Sequence, residues 1–281
     1  MLPFWTSIAA LSMIQGALVA LPRRLRSDTL TRARGRRWAA LPPLSILAFV
    51  LIAAAAERAS AEGLTYLALI AVPPLAALAL GWLARGARPR HVLLAACLFA
   101  VAWIDRGGLP GQASALLLSG LSCVALGVLL AAVTPARWLA GGIVAMAVAD
   151  SVLVIADLLQ RPNSTLNAAH PAAGLPRLQS AVLGSAVMGY GDLFIAGVLG
   201  GLLAASAGRP AQRRAALLTA LIALMFDLLF FLVDELPATV PVALALVIVL
   251  MQRRFARSPA APGERRAGAP AAPGRRAPAV R

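Results

Sequence analysis

Met188-Gly189-Tyr190-Gly191-Asp192-Leu193-Phe194-Ile195-Ala196-Gly197 puts one carboxylate inside an apolar run and flanks it with glycines. Lacking a Cβ, those glycines let other backbone approach closely. A charged Asp near the middle of a bilayer costs about 2.5–3.5 kcal/mol on insertion scales, so such a residue is a functional candidate by default. A second candidate, Asp150, stands upstream in Ala147-Val148-Ala149-Asp150-Ser151-Val152-Leu153-Val154. Two intramembrane carboxylates on neighbouring helices suit either paired acid–base chemistry or a path for protons or cations.

Composition sets the class. The chain has 281 residues, 60% of them hydrophobic and only 13% charged, with a mean hydropathy of +0.81. These values indicate an all-α polytopic membrane protein rather than a soluble domain. The formal net charge is +15 and no lysine occurs, so every basic residue is arginine. Together with abundant Ala, Leu, Gly and Pro, that pattern suits a GC-rich bacterial gene and a multi-pass protein of the plasma membrane. The arginines lie in connections and the tail, where topology and anionic lipid headgroups account for them without nucleic acid. Cys97 and Cys123 fall inside apolar runs and define no disulfide framework.

Apolar runs at 3–21, 38–56, 64–84, 91–104, 113–133, 138–159, 180–207, 215–233 and 236–251 predict about nine spans. Arg23, Arg24 and Arg26 follow the first run instead of preceding it, which predicts an uncleaved span. Connections 22–37, 85–90, 134–137 and 208–214 carry arginine with little acid, whereas 57–63, 105–112 and 234–235 mix or favour acid. The bias predicts an N-terminus outside and a C-terminus in the cytoplasm. Pro73-Pro74 predicts a kink in the third run. Residues 160–179 read as a short loop, and Asp234-Glu235 as an interfacial helix end. The Pro, Ala, Gly and Arg tail, 252–281, reads as disordered.

Asp150 and Asp192 are both deep and lie in consecutive spans, which usually pack as neighbours. Asp157 shares a helix face with Asp150 two turns on and is the alternative first carboxylate. Asp227 lies inside the eighth run. Paired carboxylates in a low-dielectric site cannot both ionise easily, so one can polarise a carbonyl while its ionised partner draws a proton from water. No serine, cysteine or histidine set competes for the role; His91 and His170 are loop residues. No His, Cys and carboxylate cluster shows metal-ligand spacing, so neither a metal nor another cofactor is expected.

Gly189-Tyr190-Gly191-Asp192 resembles the Gly-x-Gly-Asp motif of intramembrane aspartyl proteases, in the presenilin and signal peptide peptidase family. Ala147-Val148-Ala149-Asp150 is similar to that family's preceding Tyr-Asp motif. Leu236-Pro237-Ala238-Thr239 is similar to its Pro-Ala-Leu motif. The likeness covers mainly 138–251, and the nine spans and their orientation match signal peptide peptidase. It implies an aspartyl endopeptidase with Asp150 and Asp192 catalytic and Gly189, Tyr190, Gly191, Pro237, Ala238 and Thr239 at the substrate. It implies transmembrane peptides as substrates, with residues 1–137 as supporting helices and 138–251 as the catalytic group. Ala149 stands where the family has tyrosine, Thr239 where it has leucine, and Ala196 where the peptidases have proline.

Prepilin leader peptidases share the Gly-x-Gly-Asp motif, but carry a lysine where this chain has Phe194 and a cysteine set that is missing. A transporter using the aspartates as a proton relay predicts an internal repeat, whereas the deep carboxylates here crowd into the second half. Pro237 suits the first turn of the last span. Pro241, four residues on, is expected to leave the Pro237 carbonyl without its helical donor, as a free acceptor for an extended substrate.

Overall fold

Prolines and glycines set where the helices begin and how closely they pack. The computed structural model describes residues 3–25, 27–233 and 235–255; Asp234, Arg26 and the expected disorder of the tail beyond 255 lie outside them. The fold is mostly helical: α1 (Phe4–Ala20), α2 (Asp28–Arg32), α3 (Leu41–Ala55), α4 (Glu57–Leu78), α5 (Val92–Ile104), α6 (Leu109–Val133) and α7 (Ala136–Ile155) come first. Next are α8 (Gln160–Ala168), a hairpin of β1 (Ser180–Leu183) and β2 (Ala186–Gly189), α9 (Tyr190–Ser206), α10 (Arg209–Asp227) and α11 (Val240–Phe255). Each apolar run carries one helix. Five helical segments, Arg36–Ala55, Glu57–Leu83, Leu109–Val133, Ala136–Ile155 and Arg209–Phe231, are long and apolar enough to cross a membrane.

Helices α3, α6 and α10 each hold a proline in the first turn, where the missing N–H would have no helical partner. Pro73 and Pro74 sit within α4 without ending it. The ladder then loosens into a π turn at Ala79–Leu83, closed by Ala84 N–H on the Ala79 carbonyl at 2.9 Å.

The centre of the bundle is α6 against α9, and small residues make it. A Cβ added at Gly197 would collide with the Cys123 carbonyl of α6, and one at Gly201 with the Gly127 carbonyl. Gly200 meets the Val19 carbonyl of α1 in the same way. These glycines therefore do the packing work that small residues do in membrane bundles. With α1 on one side and α6 on the other, α9 is walled in: Leu193, Ile195, Ala196, Val198 and Leu199 are fully buried.

The connections sort to two ends. At one, Arg23 N–H donates to the Leu83 carbonyl, Arg85 N–H to the Leu21 carbonyl, and Gly35 N–H to the Val133 carbonyl. Buried Gln212 of α10 donates there to the carbonyls of Val19, Pro22 and Gly200, and accepts from the Arg85 guanidinium. At the other end, Glu57 meets Arg161 and Thr165, and Asn163 donates to Glu235. Arginine-rich connections thus gather away from those bearing acid.

Two expectations are corrected. The run 180–207 is not one helix: its first ten residues form the hairpin, so the fold is all-α only apart from these strands. Leu183 pairs with Ala186 across Gly184-Ser185, and Gly184 takes φ 60, the glycine-first geometry of a two-residue hairpin turn. The 160–179 connection is not a plain loop either, because it contains α8 and a 3-10 turn at Ala172–Gly174.

Candidate active site

Asp150 lies in the last third of α7 and is 5% exposed. Asp192 is the third residue of α9. The two helices pack together, and both aspartates line one cavity of about 680 Å³. Asp192 is fixed from its own helix: its Oδ2 accepts the N–H of Gly189 at 3.1 Å, the backward half of a capping box. Gly189 is the last residue of β2, so the hairpin ends where the carboxylate is anchored.

Thr239 donates its hydroxyl to Asp150 Oδ2 at 2.6 Å, and both residues are buried. Gln15 of α1 reaches across with its side-chain amide to the Ala238 carbonyl at 2.8 Å and to the Asp192 carbonyl at 3.4 Å. One side chain therefore ties the segment before α11 to the helix that carries Asp192.

Pro237 departs from expectation. The helix starts at Val240, so Pro241 occupies its first turn and Pro237 lies in the turn ahead. The Pro237 carbonyl is not free: it accepts the N–H of Val240 at 3.1 Å. Shifting the helix start by three residues restores a short-range donor that the sequence reading had removed. Ala238 and Thr239 line the cavity.

Tyr190 lines the cavity with its body and shares a hydrogen bond of 2.7 Å with Ser122 of α6 through its hydroxyl. The Cys123 thiol lies 3.9 Å from the Tyr190 carbonyl. A Cβ added at Gly191 would meet the Met146 methyl at 3.5 Å, ordinary contact, and both residues line the cavity.

Asp157, the alternative first carboxylate, is not among the residues lining the cavity: α7 ends at Ile155, and Asp157 is exposed in the turn beyond, at φ 55. The same cavity contains two carboxylates that the sequence reading left outside the site. Asp227, at the end of α10, accepts the Ser12 hydroxyl at 2.8 Å. Glu235, read as an interfacial helix end, lines the cavity and acts electrostatically on both catalytic candidates. Proximity to Pro237-Ala238-Thr239 in the chain was the signal available for it. No group of three or more His, Cys, Asp or Glu side chains converges as metal ligands among the described residues. Comparison with known proteins finds no matching family model, no matching curated protein and no matching solved structure.

Proposed function

We propose that this chain is an intramembrane aspartyl endopeptidase of the bacterial plasma membrane, crossing it about nine times with the N-terminus outside and the C-terminus in the cytoplasm. The observation that carries the reading is the placement of Asp150 and Asp192 on packed helices at one cavity. A presenilin-like or signal-peptide-peptidase-like activity is what the motif order suggests, and the substrates are transmembrane segments or signal-peptide remnants.

Like charges so placed favour a state in which the pair shares one proton. The protonated carboxyl polarises the scissile carbonyl, while the ionised one takes a proton from water as the oxygen attacks. The tetrahedral intermediate then collapses as the amide nitrogen receives a proton and leaves. Thr239 and Gly189 hold the two carboxylates in register for this exchange. A helical substrate hides its amides in its own hydrogen bonds, so a turn must open before attack. Val187, Met188 and Gly189 of β2 line the cavity, and an opened segment can add there as a strand.

The direct test is cleavage of a model transmembrane peptide in detergent, with products identified by mass spectrometry. Wild-type protein should cut it and Asp192→Ala should not. Absence of cleavage by well-folded wild type across a panel of such peptides would remove the reading.

A further inference from the structure

The cavity that holds Asp150 and Asp192 also holds Asp227 and Glu235, and none of the residues lining it is Arg, Lys or His. This segregation is strong in a chain with 26 basic residues against 11 acidic ones, since four of those 11 share one space. Asp227 and Glu235 each have a neutral donor: the Ser12 hydroxyl at 2.8 Å and the Asn163 amide at 2.9 Å. A neutral donor fixes a carboxylate without offsetting its charge. The one ion pair among the described residues joins Arg161 to Glu57 and leaves the cavity uncompensated.

A second, independent observation points the same way. Gln15 is 1% exposed and lines the cavity, yet its Oε1 has no hydrogen-bond partner. Its amide nitrogen is already committed to Ala238 and Asp192. The Gln15 oxygen therefore lacks a donor, as the carboxylates lack a cation.

Geometry selects the kind of cation. A small metal ion needs ligands that converge on a point, and no three His, Cys, Asp or Glu side chains converge so among the described residues. A guanidinium spreads five N–H donors over a planar fork and can serve separated acceptors. Ser12 and Gln15 are three residues apart on α1, about 4.5 Å along the axis. Asp227, bonded to Ser12, therefore sits about one turn of α1 from Gln15, a spacing on the scale of one arginine side chain.

We propose that this cavity recognises a cationic side chain of the substrate, an arginine beside the scissile bond, through Asp227, Glu235 and the Gln15 oxygen. The inference rests on the peptidase reading only in calling the bound peptide a substrate. Arginines flank transmembrane segments rather than fill them. The favoured substrates are accordingly cut near one end of a span, close to a juxtamembrane arginine.

The test uses the full chain in detergent and two transmembrane peptides that differ only in arginine against citrulline, which keeps the shape and loses the charge. Binding is read by fluorescence anisotropy. The arginine peptide should bind on the order of tenfold more tightly, as desolvated charge pairs do, and added salt should narrow the gap. Asp227→Asn and Glu235→Gln should each reduce the preference. Equal affinity for the two peptides on wild-type protein overturns the inference, and needs no variant to fold. A preference that survives both substitutions overturns the assignment to these residues. Cleavage of the same pair separates the two readings. Preference without cleavage removes the peptidase and leaves the cation site, whereas cleavage without preference removes the site and leaves the peptidase.

Discussion

Thr239 donates to Asp150 over 2.6 Å, and this one bond joins α7 to the segment entering α11. Where the resembling family has leucine, this chain thus has a hydroxyl committed to a carboxylate. Thr239→Val keeps the shape and deletes the donor. A buried carboxylate that loses its donor costs about 1–3 kcal/mol. Peptide cleavage should fall by on the order of tenfold or more, with Thr239→Ser retaining most of the rate. Equal rates for Thr239→Val and wild type in the same cleavage assay would show that the hydroxyl does not position Asp150.

The glycines of α9 give a stability prediction with an internal control. At Gly197 a Cβ meets backbone of α6, which cannot rotate aside, whereas at Gly63 in α4 a Cβ meets nothing within 4 Å. Overpacking against backbone costs about 1–3 kcal/mol, and Gly→Ala in an open helix gains up to about 1 kcal/mol. Thermal unfolding in detergent should place Gly197→Ala below wild type and Gly63→Ala at or above it. The reverse order would mean that α6 and α9 do not approach as described.

Cleavage should depend on how readily the substrate helix opens. Glycine or proline introduced next to the scissile bond lowers the cost of unwinding a turn, and the rate should rise several-fold over a leucine-rich control. Peptides of graded helicity, measured by circular dichroism and then assayed, test this. Rates indifferent to helicity would rule out an unwound, strand-like bound segment on the β2 edge.

Hydropathy placed a helix in each apolar run, because an apolar segment satisfies its backbone best with hydrogen bonds within itself. That Asp150 and Asp192 line one cavity was legible from depth and motif order. Three features were not. The hairpin hid inside an apolar run, where Gly184-Ser185 between Val182 and Val187 was the sole turn signal, and a strand and a helix share such composition. The start of α11 was misjudged because Pro237 and Pro241 both suit a first turn, and the Pro237 carbonyl closes a turn ahead of the helix with the Val240 N–H. Asp227 read as a residue inside the eighth run and Glu235 as an interfacial helix end, yet the ends of different helices meet at one cavity.

The claim that Asp150 and Asp192 act as one catalytic unit is tested most directly by a double-substitution cycle on peptide cleavage. Residues that work as a unit give grossly non-additive losses. Asp150→Asn, Asp192→Asn and the double variant, each shown to be folded by its thermal transition, should lose activity equally, by on the order of a thousandfold or more. Substantial cleavage in either single variant, or losses that simply multiply in the double, would contradict the paired-aspartate account.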